Sequence, residues 1–432
     1  MSNYIIRKAD LLGNGPVDIH LADGIVQEVG QELSVDPEAI EINAEGLIAL
    51  PGLVDPHTHL REPGREDAET VLTGTRAAAA GGFTCVNAMP NTSPVQDNGA
   101  VVEQVLRLGR EAGYVDVRPV GAVSLGLKGE QLAELGAMAE SAAQVRYFSD
   151  DGMCVWDPVL MRRALEYVKS FNGVIAQHAQ DPALTRGSQM HEGDVSAELG
   201  LAGWPAVAEE AIVARDCLLA SHVGSRVHIL HLSTRGSVEL VRWAKQRGFP
   251  VTAEATPHHL SLDHTEVRSY NPRFKVNPPL RTRDDIAALR EGVADGTIDV
   301  IGTDHAPHPT EDKDVEWNAG ANGMIGLETA LSIVKESLVD TGLCSWEDIA
   351  RLMSYEPAKL CQNPGQGRPV AAGEPANLCL FDPAVTRTIY GAQQHSKARN
   401  TPWEGREVSG EVRYTFLRGV PTLWQGKLKE NQ

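Results

Sequence analysis

The segment Asp55-Pro56-His57-Thr58-His59-Leu60-Arg61 sets two imidazoles two residues apart, between an aspartate and an arginine. On an extended chain a period of two turns both rings to one side. Two neutral imidazoles on one side make half of a metal site. Taken alone, the motif reads equally well as a chance His-x-His in a polar loop, so the rest of the chain must decide. Asp150 and Asp151 stand in FSDDG, His178 in AQHAQD, His231 in ILHLS and Asp304 in GTDHAPH. Imidazoles and carboxylates bind zinc well at neutral pH. Four histidines with one shared carboxylate suit two zincs close together, and coordination lowers the pKa of bound water to about 7. A further carboxylate beside that water can carry its proton to a leaving nitrogen. Asp304 is placed for that work; the bland alternative is a carboxylate that only satisfies backbone donors.

These residues need elements to position them. Eight β-rich segments run along the middle of the chain: 47–55, 83–90, 115–123, 144–150, 173–179, 226–232, 251–257 and 298–304. Helical patterns lie between them, for example at 68–81, 158–171 and 205–222. Strands alternating with helices predict a (β/α)8 TIM barrel over 52–370. The chemistry-bearing residues then fall at the C-terminal ends of strands, where such barrels build active sites. A chance scatter of 14 histidines would not respect strand ends in this way. The span exceeds the roughly 250 residues usual for the fold, so 191–204 and 308–323 are read as enlarged loops, the latter as a glycine-bearing lid over the pocket. Residues 1–51 and 371–432 read as short strands and turns, with an Asp-Gly turn at 23–24. Each end is too small for a secure core, so the two are expected to form one composite β-sandwich domain.

With 39 basic and 58 acidic residues, the chain carries a net charge of −19. That argues against general electrostatic binding of nucleic acid or an anionic membrane. The N-terminal MSNYIIRKAD lacks the apolar core of a signal peptide, and no apolar run approaches the roughly 18 residues of a membrane span. Six scattered cysteines without a CxxC pair read as reduced thiols, so the expected compartment is the cytoplasm.

DPHTHLREPG, AMPNT, FSDDG, the isolated His178 and His231, VNPPLR and GTDHAPH resemble the amidohydrolase superfamily, and within it the type I bacterial dihydroorotases. The resemblance covers nearly the whole chain. It implies the reversible cyclisation of N-carbamoyl-L-aspartate to L-dihydroorotate in pyrimidine biosynthesis, with one or two zincs per chain. It implies that His57, His59 and Asp304 hold one zinc, that His178 and His231 hold the other, and that Asp151 bridges them. Many relatives use a carboxylated lysine as the bridge, but Lys128 and Lys169 lie outside the FSDDG turn. It further implies that Arg61, Asn91, Asn277 and His308 contact the substrate. A guanidinium fork suits the substrate carboxylate, and two residues past His59 on an extended chain Arg61 faces the same side. The alternatives are a surface pair with Glu62 or Asp67 for Arg61, and a turn-stabilising role for Asn91. Asp55 is read either as a carboxylate that orients an imidazole or as a cap. His258 and His259 are read as pocket support, and His222, His228 and His264 as ordinary core or surface histidines.

Two rivals stand beside this reading. One is a hydantoinase, dihydropyrimidinase or allantoinase, against which Arg61, Asn91 and the missing lysine weigh. The other is a catalytically silent scaffold for aspartate transcarbamoylase, against which the complete ligand set weighs. A homo-oligomer, and association with that transcarbamoylase, are the expected partnerships.

Overall fold

The structure is a computed structural model that describes residues 3–34 and 37–430. Residues 1–2, 35–36 and 431–432 of the expected terminal domain lie outside the described residues.

A barrel strand forms at each of the eight expected places, except that the first segment, 47–55, is split: Ile48–Pro51 joins the sheet of the chain ends and the barrel strand starts at Leu53. The barrel strands are Leu53–Thr58, Phe83–Ala88, Asp116–Pro119, Tyr147–Ser149, Val174–Gln177, Arg226–Ile229, Val251–Ala255 and Val300–Ile301. Neighbours pair in parallel in chain order. Single bridges complete the ring: Gly121 with Phe148 joins strand three to four, and Thr58 with His305 closes the end of strand eight on strand one. Strands buried on both faces run largely apolar; every residue of the first two is buried, the polar Asp55, His57, Thr58, Thr84 and Asn87 among them.

The helices start where local chemistry dictates. Thr70 caps Val71–Ala80 in a capping box with Thr73, Asn98 caps Gly99–Ala112, and Asp157 caps Pro158–Lys169 with Pro at the first turn. The long helix Val207–Val223 ends at Gly224 with φ of 67°, a left-handed stop that glycine adopts without a Cβ penalty.

The two chain ends build one sheet. Its order is Lys427–Leu428, Val420–Trp424, Glu407–Leu417, Leu378–Thr388, Ile48–Pro51, Tyr4–Leu11, Pro16–Ala22 and Ile25–Gly30, with Ile40–Asn43 also pairing on Tyr4–Leu11. The seam is antiparallel, Leu378 opposite Pro51 and Phe381 opposite Ile48. Tyr4, Ile6, Leu21, Leu380 and Phe416 share one core there. Asp23 and Gly24 have φ of 55° and 80°, the double positive φ of a tight hairpin turn. Ile48, Leu50, Phe381 and Val412 belong instead to the barrel's main hydrophobic cluster. We propose domain limits at 51/52 and 370/371 on the ground that the sheet strand ends at Pro51 and the barrel strand begins at Leu53.

Candidate active site

The expected donors converge at the C-terminal mouth of the barrel. His57 Nε2 and His59 Nε2 lie 3.3 and 3.1 Å from Asp151 Oδ2, and 3.4 and 3.2 Å from Asp304 Oδ1. The other oxygen of Asp151, Oδ1, lies 3.3 Å from His178 Nδ1 and 3.4 Å from His231 Nε2. Asp151 thus turns one oxygen to each pair of imidazoles, which is the disposition a bridging carboxylate needs. All six side chains are buried.

Two observations fit a divalent cation. A tetrahedron with bonds of about 2.0–2.1 Å has edges of about 3.3 Å; the imidazole-to-carboxylate separations of 3.1–3.4 Å match it, and His178 Nδ1 and His231 Nε2 stand closer, at 2.9 Å. In addition His57 Nε2 and Asp151 Oδ1 are buried polar atoms without a hydrogen bond, which a native interior rarely tolerates.

Electrostatics point the same way. Burial alone would push the His57 pKa down, but Asp151, Glu254 and Asp304 together hold it well above its ordinary range. Burial favours the neutral acid at Asp151, yet His57, His178 and His231 bring its pKa well below the usual carboxylate range. The same contest at Asp304 is won by His57, His59 and His231, again downward. Carboxylates crowded around a buried centre create a field that a cation neutralises.

The tautomers are set from behind. His57 Nδ1 is 2.6 Å from Glu254 Oε1, and His59 Nδ1 is 2.8 Å from Asn91 Oδ1. Each acceptor takes the Nδ1 proton and leaves the Nε2 lone pair facing inward. His178 is reversed, because its Nε2 lies 2.8 Å from Gln180 Oε1, so Nδ1 faces Asp151.

The backbone carrying His231 and Asp304 is strained, with φ of 28° and 46°, a region that non-glycine residues rarely enter. Buried carboxylates hold it. Glu254 Oε1 accepts the His231 amide at 3.1 Å, and Asp55 Oδ1 accepts the Thr303 amide at 2.9 Å.

Several expectations about roles change. Asp55 touches no imidazole; it accepts from His57 N, Thr58 Oγ1 and Thr303 N and Oγ1, so it caps the loops that carry the donors. Glu254 does the orienting instead, and its pKa falls to about 2: burial opposes this, but His57 and His228 prevail. His228 is buried between Thr252 Oγ1 at 2.8 Å and Glu254 Oε2 at 3.4 Å, so it buttresses that carboxylate rather than filling space. Sequence reasoning passed over Glu254. The available signal was an acid in step with Thr252, a period of two along an otherwise apolar strand.

Arg61 does not continue an extended chain, since the strand ends at Thr58 and Arg61 has φ of 62°. Its Nε donates to Pro307 O at 3.1 Å. Among the described residues its Nη atoms have no hydrogen-bond acceptor. It pairs with neither candidate: Glu62 accepts the Val71 amide, and Asp67 pairs with Arg65. Asn91 does more than brace a turn, because it orients His59. Asn277 donates from Nδ2 to Gln180, and its Oδ1 is buried and unpaired. His308 sends Nε2 to Asn322 O at 2.7 Å. These four are partly exposed while the six donors are buried. His259 lies between Thr256 Oγ1 and Pro278 O and so fixes the segment that carries Asn277. Burial pushes the Cys154 thiol up to about 12, which leaves it inert.

The 308–323 loop is closed down. Lys313 Nζ donates to Ala321 O and Gly323 O at 2.8 Å and to Lys275 O at 3.2 Å. Lys275 Nζ donates to Trp317 O at 2.8 Å. Two buried lysine nitrogens therefore pin what its glycines alone would leave loose.

Comparison with known proteins agrees with this site. A family model described as "Dihydro-orotase-like" matches residues 46–237. A protein named dihydroorotase from Streptomyces coelicolor is 64% identical over 428 residues, 99% of this chain and 100% of its own length. One of the same name from Mycobacterium tuberculosis is 52% identical, with the same coverage. Among solved structures, an L-hydantoinase (dihydropyrimidinase) from Arthrobacter aurescens superposes with a TM-score of 0.89 at 25% identity, over 100% of this chain and 98% of that one. A dihydropyrimidinase from Brevibacillus agri, at 24% identity and a TM-score of 0.84 over 99% of this chain and 96% of that one, shares the barrel-and-sheet fold. The chain is a cyclic amidohydrolase and belongs to the dihydroorotase family.

Proposed function

We propose that this chain interconverts N-carbamoyl-L-aspartate and L-dihydroorotate in pyrimidine biosynthesis, with zinc as its metal. The observation that carries the reading is Arg61: a guanidinium whose Nη atoms are unpaired, at the rim of a six-donor cluster. A fork with two free donors suits a carboxylate, the group that separates dihydroorotate from a plain hydantoin or dihydrouracil ring.

His57, His59 and Asp304 would hold one zinc, His178 and His231 the other, and Asp151 would bridge them. Bound there, zinc supplies a water acidified to a pKa of about 7 and a polarised amide carbonyl. The chain's own residues do the rest. Arg61 grips the substrate carboxylate, and Asn91 and His308 complete the rim. Asn277 offers Oδ1 as an acceptor. Asp304 stays ionised, so in ring opening it accepts the proton of the attacking water and delivers it to the departing ring nitrogen. In ring closure it takes the proton from the carbamoyl nitrogen.

No helix among the described residues is long and apolar enough to cross a membrane; a cytoplasmic site of action is part of the proposal. So are a homo-oligomer and association with aspartate transcarbamoylase. Met153, Trp156 and Val159, all more than half exposed next to the FSDDG turn, support a protein-binding face, which light scattering with and without the transcarbamoylase would test.

The deciding experiment is turnover of dihydroorotate against hydantoin, dihydrouracil and allantoin, with zinc counted on the same sample. Preference for dihydroorotate, lost in Arg61→Met, is the expected result. Equal or better turnover of the uncharged rings would move the assignment to a hydantoinase. Zinc-loaded protein that turns over none of them would leave the scaffold.

A further inference from the structure

One side chain behind the site touches both of its halves. Gln180 Oε1 lies 2.8 Å from His178 Nε2 and 3.0 Å from Asn277 Nδ2. The first belongs to the donor cluster and the second to the substrate rim. Which way the Gln180 amide points is settled by a chain of donors anchored on backbone. The Thr185 hydroxyl donates to Asp181 O at 2.9 Å, and a carbonyl can only accept. Thr185 Oγ1 must then accept from Gln180 Nε2, 2.8 Å away. That leaves Gln180 Oε1 as the acceptor of two donors. His178 is consequently protonated on Nε2 and bare on Nδ1, the atom 2.9 Å from His231 Nε2 and 3.3 Å from Asp151 Oδ1. Asn277 consequently donates backwards and presents Oδ1, which is buried and unpaired.

We propose that Gln180 is a positioning residue shared by both halves of the site: it holds His178 in the tautomer that binds metal, and holds Asn277 as an acceptor for an N–H group of the substrate. This rests on the dihydroorotase reading and deepens it, because an acceptor at Asn277 selects a ring or ureido N–H and rejects an ester or ether oxygen at the same place. One oxygen serving two partners also ties metal affinity to substrate affinity.

The test uses the full chain in three variants. Gln180→Leu removes the shared acceptor. Gln180→Glu keeps an acceptor but cannot donate to Thr185. Thr185→Val cuts the anchor without touching the site. Zinc affinity is read by chelator competition, the His178 tautomer by ring 15N shifts of the zinc-free protein, and KM and kcat separately at saturating zinc. In Gln180→Leu, outer-partner losses of this kind weaken metal binding roughly 10–100-fold, on one of two zinc equivalents. KM for dihydroorotate rises roughly 10-fold, with a smaller change in kcat. Gln180→Glu recovers most of the zinc affinity, which a merely space-filling glutamine would not explain. Thr185→Val gives a mixture of His178 tautomers.

A folded Gln180→Leu with zinc affinity or KM unchanged overturns the shared role, as does a single His178 tautomer in both Gln180→Leu and Thr185→Val. Should Gln180→Leu fail to fold, Thr185→Val carries the tautomer test alone. The zinc and 15N readouts need no turnover, so wild-type protein inactive on dihydroorotate would sink the proposed function and the Asn277 half of this inference with it, while those readouts still decide the His178 half.

Discussion

His57 shows how a single residue is made into a ligand. Its Nδ1 proton is taken by Glu254 at 2.6 Å, so exchanging the carboxylate for an amide should weaken the ring's hold on a metal without altering shape. For Glu254→Gln we expect zinc affinity to fall roughly 10–100-fold and the metal-free chain to melt at a lower temperature, since a buried charge pair with His57 is broken; unchanged affinity by chelator competition would remove Glu254 from the site. Protons compete with metal here as well. In the metal-free site the surrounding carboxylates hold the His57 ring's pKa well above normal, so it must lose a proton when a cation enters. Calorimetry in buffers of different ionisation heat should therefore show proton release on zinc binding, and apparent affinity should fall as pH drops; pH-independent affinity would contradict a raised His57 pKa in the metal-free site. The six donors were legible in the sequence because histidine and aspartate at strand ends carry their chemistry in their type. Glu254 and Gln180 were not, because what matters in each is which neighbour its oxygen faces, and that depends on contacts 197 and 97 residues away in the chain.

At the scale of elements, the eight strands and the capped helices were readable because apolar runs and Ser, Thr, Asn or Asp caps are local signals. The 308–323 loop was not. Its glycines suggest freedom, but Lys313 sits inside it with its Nζ within hydrogen-bond reach of three carbonyls. Burial, with Lys275 and Arg273 beside it, pushes the Lys313 pKa down from 10.5 to about 7. The sign follows from linkage. An open loop would leave the lysine near 10.5, so between about 7 and 10.5 the closed loop binds fewer protons than the open one. Closure therefore strengthens as pH rises through that window, and is weakest below about 7. Hydrogen exchange over 310–323, corrected for intrinsic rates, should show more protection at pH 9 than at pH 6.5; the reverse trend would mean that the ammonium form is the better clamp. Gly323 offers a second handle. It has φ of 141°, and a Cβ there would stand 2.8 Å from His308 Nε2 and from the Ala306 Cβ. Gly323→Ala should displace His308 and raise KM for dihydroorotate several-fold while zinc content stays at the wild-type value; an unchanged KM would mean that His308 does not meet the substrate.

Across the whole molecule, the C-terminal segment does more than complete a sheet. After leaving the strand Leu378–Thr388 the chain crosses the mouth of the barrel before it returns at Glu407. On the way Ser396 Oγ and Lys397 N donate to the buried Glu69 at 2.5 and 3.0 Å. Asn400 Nδ2 donates to Ala306 O at 3.0 Å and Gly323 O at 3.2 Å, and its Oδ1 accepts the His308 amide at 3.2 Å. One amide thus spans both ends of the closed loop, from a part of the chain that a sequence reading assigns to a separate β-domain. Asn400→Ala would leave Ala306 O and the His308 amide without their partner, while Gly323 O keeps Lys313 Nζ, at about 1–3 kcal/mol for each buried group that water cannot reach. Because the donor cluster does not depend on it, zinc content and affinity should be unchanged. KM for dihydroorotate should rise roughly 10-fold, about one such loss expressed in binding, and the amides of 310–323 should lose protection. Asn400→Asp should behave alike or worse, since it sets a carboxylate against two carbonyl oxygens. If both variants kept wild-type KM and loop protection, the crossing segment would be packing alone, and the barrel would close its own mouth. If zinc affinity fell with them, the terminal domain would reach the metal centre itself, through Glu69 and the His305 ring that lies 3.4 Å from it, next in the chain to Asp304.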